Sequence, residues 1–164
     1  MWERRTSTMG KEIERKFLID QQKWDNLNKP EGKLFRQGYL LTDKDKTIRV
    51  RATETKGFLT IKGQTIGATR LEYEYEIPVT EATELLDNFA VSELSKTRYE
   101  IKFNDKLWEV DVFSGDNLGL IVAEIELESE DETFDLPDWV STEVTEEAKY
   151  YNSNLTVKPF KDWV

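Results

Sequence analysis

Apolar and polar side chains alternate with a period of two along most of the chain, and helical periodicity surfaces only in short stretches. The pattern predicts eight strands, over Lys11–Asp20, Leu34–Thr42, Thr47–Thr53, Phe58–Gln64, Thr69–Pro78, Leu94–Phe103, Leu107–Phe113 and Leu118–Ser129. Lys56-Gly57, Asn104-Asp105 and Ser114-Gly115-Asp116-Asn117 punctuate these runs with turn-forming residues, so consecutive strands read as antiparallel. Short helices are predicted over Gln21–Asn28, from Thr80 onward, and over Glu146–Asn152. In the second, Thr80 reads as the cap, Glu81 and Glu84 as early acids, and Leu85, Leu86 and Phe89 as the apolar face. The fold class is α+β and β-dominated, with no internal repeat, low-complexity segment or long linker.

Residues i and i+2 share one face of a strand, and sorting the charges this way gathers them. Glu12, Glu14 and Lys16 share a face of the first strand, Arg49 and Arg51 of the third, and Thr60 and Lys62 of the fourth. Arg70, Glu72, Glu74 and Glu76 follow on the fifth strand, and Lys96, Arg98, Glu100 and Lys102 on the sixth. Glu109 and Asp111 continue the series on the seventh strand, and Glu124, Glu126 and Glu128 on the eighth. The opposite faces carry Ile13, Phe17, Val50, Ile61, Leu71, Tyr73, Tyr75, Trp108, Val110 and Ile125 among others, and are expected to be covered.

For any single strand, an ordinary sheet with apolar residues against a core and charges in water accounts for this pattern. Seven such segments in one chain ask for more. Glu12 with Glu14, Glu72 with Glu74 and Glu124 with Glu126 repel unless a cation lies between them, while Arg49 with Arg51 and Lys96 with Arg98 call for an anion. A charge-lined interior that holds metal ions and a polyanion meets both demands, and eight strands suffice to close a barrel around a small ligand. Metal, phosphate and basic side chains together are the apparatus of phosphoryl transfer. The residues lead as far as a metal-dependent polyphosphate site without selecting a reaction.

Composition narrows the chemistry further. The 164 residues suit one domain, expected over 10–164. Histidine and cysteine are both absent, which excludes disulfides, Cys/His zinc sites, thiol nucleophiles and imidazole relays. Any metal must be a hard cation on oxygen ligands. With 33 acidic and 23 basic residues the net charge is −10, which argues against a nucleic-acid or anionic-membrane partner. Met1-Trp2-Glu3-Arg4-Arg5-Thr6-Ser7-Thr8 has no apolar run and no membrane span is evident, so a cytoplasmic protein is expected, with residues 1–9 a disordered extension and Met9 the functional start.

At Glu12-Ile13-Glu14-Arg15-Lys16 the E-x-E-x-K strand resembles the hallmark of the CYTH superfamily, the triphosphate tunnel metalloenzymes. Arg49-Val50-Arg51, Leu59-Thr60-Ile61-Lys62-Gly63, Arg70-Leu71-Glu72-Tyr73-Glu74, Lys96-Thr97-Arg98, Glu109-Val110-Asp111 and Glu124-Ile125-Glu126 follow in order. Glu143-Val144-Thr145 and Tyr150-Tyr151-Asn152-Ser153-Asn154-Leu155 resemble the family's C-terminal segment, so the likeness runs from about Gly10 to Leu155.

The resemblance implies an eight-stranded antiparallel closed barrel, a tunnel with a few helices packed outside, that needs Mg²⁺ or Mn²⁺, as two ions, and acts on a small triphosphate compound. Glu12, Glu14, Glu124 and Glu126 are the implied metal ligands. Glu72 and Glu74 either assist a second ion or hold basic residues through ion pairs, while Glu109 and Asp111 support the lysines and arginines. Lys16, Arg49, Arg51, Lys62 and Arg98 are assigned to the triphosphate, and Lys96 to a catalytic role, helping to deprotonate an attacking water. Arg15 has the apolar parity and is expected outside. Lys149, Tyr150 and Tyr151 either close one mouth or pack a C-terminal helix. Short bacterial members with this opening resemble inorganic tripolyphosphatases; class IV adenylyl cyclases, thiamine triphosphatases or a non-catalytic nucleotide or polyphosphate binder share the same expectation of fold.

Overall fold

The computed structural model describes residues 10–163, so the expectations for residues 1–9 lie outside the described residues. Strands β1 (Lys11–Ile19), β2 (Lys33–Thr42), β3 (Lys46–Ala52), β4 (Gly57–Gly63) and β5 (Thr69–Ile77) fill the first half of the chain. Strands β6 (Ser92–Phe103), β7 (Lys106–Phe113), β8 (Ile121–Glu126) and β9 (Val140–Glu143) fill the second. Helices α1 (Gln21–Asp25), α2 (Val79–Phe89) and α3 (Asn152–Leu155) lie between and after them.

The strands hydrogen-bond in the order β5-β4-β3-β2-β6-β7-β8-β1-β9, and a further β5–β1 pairing closes the sheet on itself. The result is an eight-stranded antiparallel barrel with one extra strand. β1 is the closing stave. One of its edges faces β8, placing Glu14 opposite Glu126 and Lys16 opposite Glu124. Its other edge is divided, with Lys11–Ile13 on β5 and Phe17 and Ile19 on β9. The four residues of β9 are too few to show an alternation, and for that reason the hydropathy pattern does not reveal them.

Other boundaries move for local reasons. β8 starts at Ile121 rather than Leu118 because Gly115–Asn117 form a 3-10 turn and Gly119 takes a left-handed conformation, φ +100°. α2 begins at Val79 with Pro78 at its cap and no capping side-chain hydrogen bond, so Thr80 lies inside the helix. The helix expected over Glu146–Asn152 is instead a 3-10 turn, Ala148–Tyr150, followed by α3, with Tyr151 extended between them.

Packing outside the barrel is carried by two clusters. Under α1 and the segment before β9, Trp24, Trp108, Trp139 and Phe17 meet edge to face, with Trp108 5.6 Å from Phe17 and 5.9 Å from Trp139. Ala82 and Leu86 of α2 cover Val50 and Ala52. The helix comes close because β4 and β2 offer glycines: a Cβ on Gly57 would lie 2.6 Å from that of Ala82, and one on Gly38 2.6 Å from Leu86. The expectation that the whole apolar face is covered fails on β4 and β5. Ile61, Leu71, Tyr73 and Tyr75 stay 40 to 56% exposed there.

A third cluster sits inside. Along β1, β6, β7 and β8 the charged rows end in Leu18, Leu94, Phe113 and Val122, which pack with Tyr150 and Leu155 of the C-terminal segment. One end of the barrel is filled by apolar side chains, and the charged part of the lumen has a floor. At the other limit the rows run out into solvent, where Glu76, Glu100, Lys102 and Glu128 are exposed. Among the described residues no helix is long and apolar enough to cross a membrane.

Candidate functional site

Parity along the staves brings the charges into one cavity. Glu12, Glu14 and Lys16 of β1 line it with Glu124 of β8, and Arg49, Arg51 and Lys62 line it from β3 and β4. Glu72 and Glu74 of β5, Lys96 and Arg98 of β6 and Glu109 of β7 complete the expected set. Asp111 lies behind the wall, 1% exposed, and Glu126 does not line the cavity.

The basic residues gather against a few acids. Arg49 and Arg51 each donate to Glu74 Oε1 at 3.3 Å, and the Thr60 hydroxyl donates to the same oxygen at 2.9 Å. Arg98 grips Asp111 with two parallel bonds of 2.8 and 2.9 Å and reaches Glu109 at 3.1 Å. Lys96 Nζ lies 2.9 Å from Asp111 Oδ2. Burial works against the Asp111 charge, yet Arg98 and Lys96 hold its pKa down at about 2. The same crowding acts in reverse on the cations. Burial, then Arg49 and Arg98, pull Arg51 down to about 9. Burial, with Arg98 and Arg51 adding to it against Asp111, brings Lys96 down to about 7. Stacking keeps Arg51 in place, 4.8 Å above the Phe35 ring and 5.3 Å from Phe58.

Across the lumen the acids dominate. Lys62 stands 3.2 Å from Glu12 and 3.4 Å from Glu72, and these carboxylates outweigh its burial to raise its pKa. Lys16 is 3.8 Å from Glu124. Burial, then Glu12 and Glu124, drive Glu14 well above the usual carboxylate range. Glu124 moves the other way: burial opposes its charge, but Lys16 and a hydrogen bond from Glu14 lower its pKa. Glu14 is thereby biased toward its protonated form and Glu124 toward its ionised form, which lessens the negative charge on this wall.

The mutual repulsion of these buried carboxyls is the test of whether the site suits a divalent cation. An all-oxygen donor set that needs a positive charge between two buried carboxylates fits Mg²⁺ or Mn²⁺. Among the described residues no three acids already form a metal-ligating group. Mg²⁺ sites are commonly built that way, from one or two carboxylates completed by substrate phosphates and water.

Further residues line the cavity, several of them given no role by the sequence pattern. Tyr39 enters from β2, whose inward residues Phe35, Gln37 and Tyr39 are uncharged, and Arg70 and Thr65 enter from around β5. Thr145, Tyr151, Asn152 and Ser153 come from the C-terminal segment. Tyr151 lies under the Lys16 ammonium at 5.3 Å, while Tyr150 joins the floor and Lys149 turns away over Tyr150 and Trp163. Arg15 is outside, as its parity demands, bonded to Glu143 at 2.6 and 2.8 Å.

An antiparallel barrel that opposes carboxylates and cations across one lumen defines a class of polyanion-handling domain. The CYTH domain family matches residues 10–158, and the chain belongs to that family. An inorganic triphosphatase from Acetivibrio thermocellus is 49% identical over 156 residues, 94% of this chain and 99% of that protein. Another from Nitrosomonas europaea is 39% identical over 154 residues, 89% of this chain and 97% of that protein. Among solved structures, that of the inorganic triphosphatase NE1496 superposes with a TM-score of 0.61 at 37% identity, covering 89% of this chain and 94% of that one. Metal dependence is general among CYTH triphosphatases.

Proposed function

We propose that this chain is a metal-dependent triphosphatase that hydrolyses inorganic tripolyphosphate to pyrophosphate and orthophosphate. One observation carries the reading: a single floored cavity holds an acidic wall short of positive charge and a basic wall short of negative charge. A metal triphosphate complex supplies both. The near-full-length identity to inorganic triphosphatases supports the same substrate.

Glu14 and Glu124, with Glu12 beside them, would hold Mg²⁺ or Mn²⁺. Such a cation contributes Lewis acidity toward phosphate oxygens and makes water more acidic. Arg49, Arg51, Arg98 and Lys16 bind the phosphate oxygens and neutralise the charge that spreads over them in the transition state. Glu74 is engaged by Arg49, Arg51 and Thr60, which favours the ion-pair role over metal ligation, while Glu72 shares Lys62 with Glu12. Lys96, neutral in a large fraction of molecules near pH 7, takes the proton of the attacking water. The water oxygen bonds to the terminal phosphorus as the bridging P–O bond breaks, and pyrophosphate leaves with that electron pair. Asp111 keeps Lys96 and Arg98 in place from behind.

A panel of tripolyphosphate, ATP and thiamine triphosphate, each with Mg²⁺, Mn²⁺ or EDTA, tests this directly. Orthophosphate and pyrophosphate in equal amounts from tripolyphosphate, absent in EDTA, are expected. Cyclic AMP from ATP, or tight binding without turnover, would overturn the assignment.

A further inference from the structure

We propose that Asn152, at the start of α3, is a positioning residue for the hydrolysis: its amide oxygen fixes the direction in which the Lys96 amine faces the cavity. The inference rests on the triphosphatase reading above.

Lys96 is 1% exposed, so water does not orient its amine. Among the described residues its Nζ has two close oxygen partners, Asp111 Oδ2 at 2.9 Å and Asn152 Oδ1 at 2.8 Å. Beyond Cε a tetrahedral nitrogen has three positions. Asp111 and Asn152 occupy two, and the third is left for the cavity that Lys96 lines. In the neutral amine that third position is the lone pair, the group that accepts a proton. With Asp111 alone, Nζ could rotate about its bond to Cε and the lone pair would have no set direction.

The Asn152 amide is itself held. Its oxygen also accepts from Gln37 Nε2 at 3.3 Å. With the amide in this orientation its oxygen accepts from both neighbours. Gln37 is wholly buried on β2 and its Nε2 also reaches Tyr39 Oη at 3.1 Å. The backbone supports the same placement. Tyr151 is extended between two helical turns, and Leu155, fully buried in the floor, anchors the segment. Asp111 and Gln37 belong to the barrel wall, whereas Asn152 arrives from outside the barrel proper, so docking of the C-terminal segment completes the setting of Lys96.

Wild type, N152L and N152D are to be compared on tripolyphosphate with Mg²⁺, recording kcat, KM, the pH profile and the melting temperature. Leucine keeps the bulk and removes the acceptor; aspartate keeps the acceptor. N152L is expected to lower kcat about 10- to 100-fold with KM within about twofold of wild type, because orientation at the reacting atoms is lost and phosphate binding is not. N152D should recover a large part of that loss. The pH limb that belongs to Lys96 should fall in N152L, which no longer stabilises the ammonium, and rise in N152D, which stabilises it more. An N152L protein with unchanged kcat overturns the inference, as does a loss shared between kcat and KM that N152D does not rescue. Should N152L fail to fold, the N152D profile decides, and an unmoved limb contradicts the proposal. A wild type inactive on tripolyphosphate overturns the function and this inference with it; an active wild type beside an unaffected N152L overturns the inference alone.

Discussion

The two walls of the lumen are made by the same device, charges on alternate residues of neighbouring strands, yet they relieve their surplus differently. On the acidic wall burial, then Glu12 and Glu124, favour a proton on Glu14, while Lys16 helps Glu124 keep its charge. A proton exchanges readily, so a divalent cation can replace it. On the basic wall guanidinium groups keep their charge, and relief comes from fixed partners: Asp111 and Glu74 as acids, Phe35 and Phe58 as stacking faces. The acidic wall is therefore responsive to pH and metal, whereas the guanidinium groups of the basic wall stay prepared for an anion while Lys96 beside them titrates near neutrality.

The largest effects should come from removing the group each wall contributes to the reaction. Glu124→Ala and Lys96→Ala are each expected to lower tripolyphosphate hydrolysis by about 10²- to 10⁴-fold while circular dichroism stays native. They should differ in kind. Extra metal recovers part of the Glu124→Ala loss and none of the Lys96→Ala loss, and identical responses would erase the distinction between the walls.

Arg51→Met should raise KM for tripolyphosphate at least about tenfold. It should also raise the melting temperature of the ligand-free protein by roughly 2–4 °C, because a crowded buried cation is removed. A melting temperature that falls would show that Arg51 supports the empty fold and is not strained in it.

Acid–base behaviour sharpens the contrast. Turnover should rise with pH through about 7 as Lys96 loses its proton, and apparent metal affinity should rise with pH as the cation displaces the Glu14 proton. The stability linkages carry the same sign, in separate pH windows. Lys96 is lowered from 10.5 to about 7, so the unfolded chain binds more protons between those values and stability from this group grows as pH rises across them. Asp111 is lowered from 3.8 to about 2, so its contribution is complete above 3.8 and is lost as pH falls toward 2. Urea titrations across these two windows measure both slopes.

The smallest effect tests parity on one strand. Arg15, about one-third exposed on the outer side of β1, forms an ion pair worth about 0–1 kcal/mol with Glu143. Arg15→Ala should leave KM unchanged, whereas Lys16→Ala, one residue along and facing inward, should raise it. Equal effects on KM would contradict the assignment of the two faces.

Much of the barrel was legible because a period-two alternation reports the face of a strand wherever its charges are dense. The inward rows of β1, β3, β4, β6 and β8 could be read this way. β2 could not, because Phe35, Gln37 and Tyr39 are neutral and its outward residue Arg36 carries the charge, pairing with Asp87 and Glu93. Glu126 shares the parity of Glu124 but lies beyond the cavity lining, since alternation gives the face and not the depth along the barrel. Asn152 and Thr145 reach the site through chain that follows the barrel, and local pattern holds no record of such a long-range approach. The floor was hidden for a related reason: Leu18, Leu94, Phe113 and Val122 continue the charged rows as apolar residues, and what fills the space between them arrives with Tyr150 and Leu155.

A crystal structure with Mn²⁺ and a slowly hydrolysed tripolyphosphate analogue, read from the anomalous difference map, tests the division of the lumen most directly. The account predicts manganese against Glu14 and Glu124 and phosphates against Arg49, Arg51 and Arg98. Manganese on the outer carboxylates, with phosphate absent from the lumen, would contradict it.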